Sequence, residues 1–400
     1  MNTKVSFGLL LISVLLIMGC VSEFNAELPS NDMQVLIVDG QIIENTDVRF
    51  YLSKSFPLNF ISLPEENRIV DAKLTLIGSN GYQSAPATSL GAGSYLLPVG
   101  QLDDNVEYGI QIEYDGDIYQ STLLKPLHTP EIDSISWVQP YEYGDVFFRV
   151  STHDDTEGAK FFLWSYTENW EVRADYYTTI FYSPSGDATD GTYYMIEPAP
   201  YYYCWRSNAS FEFLIGSTAS LNENKIINKQ LFQKESSDSR FSMLYSVTVT
   251  QQAISNDAFE YYQNKILLNE EMGGLFTPQP FELGGNITCI TDPSKRVMGY
   301  VETLKNTTQK RIFVSSEQIK SSRIYSNCVQ LINEEVAIML ADNNITLDDY
   351  YRMGYSPAGD TDPMCYPNAC PHAWARASCT DCRRNGGTKN KPYFWPNDHQ

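Results

Sequence analysis

The sequence has 400 residues, with 28 Lys and Arg against 49 Asp and Glu and a formal net charge of −21 at neutral pH. Such a surface repels phosphate backbones and anionic headgroups, so nucleic acid is excluded as a partner. The length allows two domains, each with room for a core. The charge is spread out rather than blocked, which fits a well-hydrated surface. Residues 1–19 hold Lys4 and an apolar run from Phe7 to Met18 broken only by Gly8 and Ser13. A bilayer-spanning helix takes about 20 apolar residues, so this shorter run reads as the h-region of a secretory signal.

The signal ends in Ile17, Met18, Gly19 and Cys20, which resembles the lipobox of bacterial lipoproteins, with Met18 as a departure from the usual small or β-branched residue. In that reading Cys20 is diacylated and becomes the mature N-terminus, and residues 20–32 are a polar tether. A plain signal peptide in which Cys20 has no role is the alternative.

Residues 33–128 are expected to form an immunoglobulin-like β-sandwich. In "NVEYGIQIEYDGD", Val106, Tyr108, Ile110, Ile112 and Tyr114 fall on one face, with a turn at "DGD"; that alternation marks a half-buried strand. "VDAKLTLIG" and "GAGSYLLPVG" repeat the pattern, and short strands at about ten-residue spacing without helical periodicity fit a sandwich. The prolines of "LLKPLHTPEID" close the unit. Residues 129–355 read as a larger β-rich domain, with strands in "DVFFRVSTHDD", "KFFLWSYTENWEV", "SFEFLIGST" and "YSVTVTQQ". A helix is expected near 255–270, capped by Ser255 and stopped by Gly273 and Gly274. A second is expected within "CVQLINEEVAIMLADNN". Residues 356–400 shift to Gly, Pro, Asn, Asp and Cys and are expected to pack on the second domain without building a core of their own.

With Cys20 assigned to lipid, seven cysteines remain. Cys204, Cys328, Cys365, Cys370, Cys379 and Cys382 are disulfide candidates, and Cys289, in the alternating run "NITCIT", is expected to be a buried free thiol. In an oxidising periplasm paired thiols end as disulfides. The spacing C-x4-C-x8-C-x2-C is also compatible with a four-cysteine zinc site or, for Cys379 and Cys382, a redox pair. No metal or cofactor is expected.

Five ordered motifs, "YYYCWRS", "SVTVTQQAISNDAFEYYQNKI", "GGLFTPQPFELGGNI", "RVMGYVE" and "CTDCRRNGGTKNKPYFWP", together resemble the DUF4249 family of Bacteroidota lipoproteins, and "GSYLLP" and "FFLWSYTENWEV" fit as well. The resemblance implies an outer-membrane lipoprotein, facing either the periplasm or the surface, often paired with a TonB-dependent transporter. It implies no catalytic residue, since the family's activity is undefined. Cys20, Cys204, Cys379 and Cys382 match family-type positions; Cys289 does not.

Other features have both functional and bland readings. His153 with Asp154, Asp155 and Glu157 offers acid–base or cation chemistry, but "THDDTEGA" lies between two strand runs, where Asp, Thr and Gly make turns. No nucleophile elbow, zinc-protease motif, P-loop or dinucleotide fingerprint occurs, which argues against an enzyme. "YYMIEPAPYYYCW" concentrates Tyr193, Tyr194, Tyr201, Tyr202, Tyr203 and Trp205; these rings suit either sugar or partner stacking or core packing. Asp133, Ser134 and Ile135 match a short O-glycosylation pattern of exported Bacteroidota proteins. The expectation is a lipid-anchored binding or accessory component of a TonB-dependent nutrient transporter. The rivals are a glycan-binding adhesive or structural protein, and a hydrolase using the carboxylates near His153.

Overall fold

A computed structural model describes residues 35–56, 64–156, 158–185, 191–271, 284–322, 328–361 and 371–396. The protein is mainly β with few helices. Among the described residues no helix is long and apolar enough to cross a membrane.

The strand Thr46–Lys54 sets the pattern of the first unit. Val48, Phe50 and Leu52 are buried and their neighbours face outward, the period of two that a pleated strand imposes. It pairs antiparallel with Leu36–Asp39 on one side and Ser94–Val99 on the other, and Thr88–Gly91 continues the sheet. A second sheet contains Lys73–Gly78, Tyr108–Tyr114 and Asp117–Ser121. The turn between the last two places Asp115 at φ 53° and Gly116 at φ 82°, the pair of left-handed residues that a two-residue hairpin turn favours. Phe50, Tyr95 and Leu97 from one sheet meet Leu74, Ile110 and Ile112 from the other in one core.

Residues 284–304, which the sequence reading assigns to the second unit, complete the first. Ile287–Cys289 pairs antiparallel with Asp117–Ser121, Val297–Met298 parallel with Leu36–Asp39, and Thr303–Leu304 parallel with Ile42–Ile43. The expected second domain, 129–355, therefore contains a segment whose strands pair with the first unit. Strands of two or three residues contain too little alternation to be recognised, and their partners lie far away in sequence.

The second unit is built on Phe161–Arg173, which pairs along ten residues with Leu244–Ile254, from Phe161 opposite Ile254 to Trp170 opposite Tyr245. Tyr203–Ala209 and Leu214–Ser217 line its other edge, and Thr308–Ser315 lies beyond Leu244–Ile254. Facing this sheet is one of Ile132–Val138, Val146–His153 and Lys225–Lys234. Phe148, Trp164, Phe232, Tyr245 and Val247 fill the space between them. The buried Glu168 carboxylate accepts from Arg240 Nη1 at 3.0 Å and from the Tyr245 hydroxyl at 2.6 Å, and pairs with Lys234 at 3.0 Å. A buried charge is tolerable when it is paired and hydrogen-bonded in this way.

After Leu244–Ile254 the chain forms the helix Asn256–Glu271, visits the first unit, and returns as Thr308–Ser315. Ser255 Oγ accepts from the Ala258 amide and so caps the helix; Gly273 and Gly274, its expected stop, lie outside the described residues. This excursion ties the two units together.

The C-terminal part has a three-stranded sheet in the order Gln330–Ile332, Pro371–Arg376, Tyr355–Thr361, with the helices Asn333–Asn343 and Leu347–Arg352. Trp374, Tyr350 and Val336 form a core with Tyr182. The tail contributes to a core it shares with residues outside it. Its Trp374 packs on residues from 331–355 and on Tyr182 and Tyr193 of the hairpin Ile180–Ser183 and Thr192–Met195, which no local reading of the tail contains.

Candidate functional site

The two cysteines of "CTDC" go to different partners. Cys382 is bonded to Cys204 across a sequence separation of 178, and Cys379 to Cys328 across 51, each with Cα atoms 5.8 Å apart. This excludes a redox pair between Cys379 and Cys382 and takes both out of a zinc set. Cys289 is free and 2% exposed in the first core, its Sγ 3.3 Å from Thr291 Oγ1. Cys20, Cys365 and Cys370 lie outside the described residues.

Both staples fix the loop 377–387, and that loop walls a cavity of about 790 Å³, within the range of about 300–1,000 Å³ typical of small-ligand sites. The opposite walls are the hairpin strand Ile180–Ser183, the helix Leu347–Arg352 and the strand that follows it. The Tyr182 hydroxyl donates to the buried Asp348 carboxylate, which also accepts from the Ser185 amide at 3.0 Å and the Gly191 amide at 3.1 Å. Hairpin and helix are thereby locked together.

Arg352, Arg376, Arg383 and Arg384 line the cavity, and among the described residues Asp381 is its one acidic lining residue. Asp381 caps the turn Cys382–Asn385 through the Arg383 amide at 3.0 Å and accepts from the Arg383 guanidinium at 2.8 and 2.9 Å. The same guanidinium stacks 3.4 Å from the centre of the Tyr201 ring. Gly386, at φ 77°, ends the turn. At Gly387 a Cβ would lie 2.5 Å from Cys204 Cβ and 2.8 Å from the Cys382 carbonyl oxygen, so only glycine lets the chain pass this disulfide.

The aromatic stretch divides between the two roles considered for it. Trp205 is buried with Trp395, and Tyr193 packs against the Trp374 core. Tyr194 and Tyr201 line the cavity instead, each 5.6 Å from Phe181 between ring centres. The arginines escaped the sequence reading. Their only signal was the doublet in "CRRN" beside Cys382.

The His153 cluster is arranged as a turn. Asp154 accepts from the Thr156 amide at 2.9 Å, its hydroxyl at 2.6 Å and the Ala159 amide at 2.7 Å. These hydrogen bonds hold its carboxyl below the usual range, against the burial that opposes them most strongly. His153 Nδ1 is 2.6 Å from Asp133 and Nε2 is 3.6 Å from Asp155; Glu157 lies outside the described residues. The Asp133 hydrogen bond raises the His153 pKa. Ser134 is exposed on the strand Ile132–Val138.

Fold and site together define a mainly β protein with a disulfide-held, arginine- and tyrosine-lined cavity. The chain belongs to the DUF4249 family, a domain of unknown function whose model matches residues 21–310. The cavity straddles the end of that match: Phe181, Tyr194 and Tyr201 lie within it, and the four arginines lie beyond. No curated protein matches the sequence. Among solved structures, a two-domain fibronectin type-III segment of chicken tenascin is similar over 54% of this chain and 90% of its own, at 12% identity and a TM-score of 0.14. That score is too low to carry a structural argument.

Proposed function

We propose that the protein is an outer-membrane lipoprotein anchored through Cys20, acting as a binding component of a TonB-dependent nutrient transporter rather than as an enzyme. The observation that carries the reading is the cavity. It is concave and fixed by two disulfides, and its single carboxylate is already engaged by Arg383. Its lining suits holding a ligand better than transforming one, and Asp154, the carboxylate nearest to catalytic chemistry in the sequence, is taken up by its own turn.

The first unit serves as a spacer between tether and binding units. Apart from the short strand Ile42–Ile43 and those added by residues 284–304, its strands run Leu36–Asp39, Thr46–Lys54, Ser94–Val99, Thr88–Gly91 in one sheet and Asp117–Ser121, Tyr108–Tyr114, Lys73–Gly78 in the other, an order that supports an immunoglobulin-like sandwich of the constant type. The interlocking of residues 284–304 with this sandwich supports a stiff stalk rather than a loose one. The partner follows from the family resemblance and from the lipobox.

Affinity purification of the tagged full-length protein from solubilised outer membranes tests the reading. Reproducible recovery of one large barrel protein is expected. Repeated recovery with no barrel would remove the transporter from the account.

A further inference from the structure

We propose that the cavity recognises an acidic oligosaccharide, pairing its carboxylate or sulfate groups with Arg376 and Arg384 and stacking its rings on Tyr194 and Phe181. This rests on the binding reading above and adds the ligand class to it.

Charge gives the first argument. In a chain of net charge −21, the cavity lining holds four arginines against one aspartate. A cleft lined by one sign of charge concentrates the opposite ion, and guanidinium forks fit planar and tetrahedral oxyanions. Two of the four arginines are already engaged. Arg352 lies 3.5 Å from Asp349 and 3.8 Å from Asp348, and Arg383 lies 2.8 Å from Asp381. Arg376 and Arg384 are exposed and have no acidic partner among the described residues. Arg376 ends the central strand Pro371–Arg376 and Arg384 sits in the turn behind Cys382, so rigid elements present both.

Ring chemistry gives the second. Tyr194 is 46% exposed and lies stacked beside Phe181 at an interplanar angle of 28°, a flat amphipathic platform of the kind that covers a sugar face at low entropic cost. Ser356 and Ser378 add hydroxyls to the wall. An acidic peptide shares this charge logic, since arginine clusters also read acidic motifs; the exposed Tyr194 ring stacked beside Phe181 favours a sugar face, and the triglutamate arm of the test decides between them.

The test is calorimetric titration of the oxidised full chain with four probes: a trigalacturonate, a sulfated carrageenan disaccharide that carries no carboxylate, neutral maltotriose and a triglutamate peptide. The wild type is compared with Arg376→Gln/Arg384→Gln, whose exposed sites leave folding intact, checked by circular dichroism. At least one acidic saccharide is expected to bind, with maltotriose weaker by about tenfold or more. The double variant should lose at least about tenfold, since one charge-assisted hydrogen bond is worth about 1.5–3 kcal/mol. Which of the two acidic saccharides binds tells carboxylate from sulfate. Equal binding of maltotriose, tightest binding of triglutamate, an unaffected double variant, or no binding by a folded wild type each overturns the proposal. Barrel recovery is read separately, so a failed titration with a recovered barrel rejects the ligand class and not the accessory role.

Discussion

Removing the Cys204–Cys382 staple gives the sharpest stability prediction. The bond joins residues 178 apart, and Cys328–Cys379 closes a loop of 51 residues inside the same span. Loop-closure entropy assigns about 5 kcal/mol to the longer loop and about 4 kcal/mol to the shorter. Keeping the inner bond shortens the outer loop by under a third, and because the dependence is logarithmic this removes only about 0.3 kcal/mol. Measured losses fall at or below such values, so Cys204→Ala/Cys382→Ala should lower stability by about 3–5 kcal/mol, and Cys328→Ala/Cys379→Ala by about 1 kcal/mol less. Urea unfolding of the oxidised proteins, followed by tryptophan fluorescence, reads both. Locally, the loop keeps Cys328–Cys379, the hydrogen bond from the Cys382 amide to the Tyr201 carbonyl and the pairing of Trp205 with Thr388, but loses its covalent tie at residue 382, so trypsin should cut faster after Arg383 and Arg384. Unchanged stability and unchanged cleavage, or a larger loss from the inner pair than from the outer, would refute the reasoning.

Three further outcomes are expected. Glu302 is 2% exposed and accepts from the Ser255 amide at 2.9 Å and its hydroxyl at 2.8 Å; burial still pushes its pKa up to about 7 from 4.5. The folded chain therefore keeps a proton that the unfolded chain releases, stability falls as pH rises from 4.5 to about 7, and the loss approaches about 3 kcal/mol. Urea midpoints across pH 5–8 should slope down in the wild type and flatten in Glu302→Gln. The His153 pKa is raised by its hydrogen bond to Asp133, so that pair's stabilisation is present below the ordinary value of 6.5 and is lost as pH rises through the raised one. Asp133→Asn should bring the His153 titration back toward 6.5 by NMR, and an unmoved curve would discount the pair. Gly387→Ala must displace backbone or disulfide atoms and should cost about 1–3 kcal/mol, read as a lower Tm; an unchanged Tm would mean that the loop yields freely.

The strand Tyr108–Tyr114 was legible because Tyr108, Ile110 and Ile112 are buried on one face, which writes an alternating pattern into the residues themselves. The helix Asn256–Glu271 was legible from its cap at Ser255. Thr303–Leu304 was not, because two residues hold no period and Ile42–Ile43, its partner, is remote in sequence. The pairing of "CTDC" was equally hidden: spacing shows which cysteines are near in sequence, and both bonds here run to distant ones. The cavity follows from those bonds. The Tyr201 stretch read as core or stacking surface, and only the folded loop places Arg383 over the Tyr201 ring.

The claim on which both location and partner depend is the anchor at Cys20. Mass spectrometry of the native protein from outer-membrane fractions, beside Cys20→Ala, tests it most directly. The account predicts a mature chain beginning at a diacylated Cys20 in the membrane pellet, and a Cys20→Ala protein lacking that modification and released from the membrane. A wild-type chain cleaved elsewhere, unmodified and recovered in the soluble fraction, would contradict it.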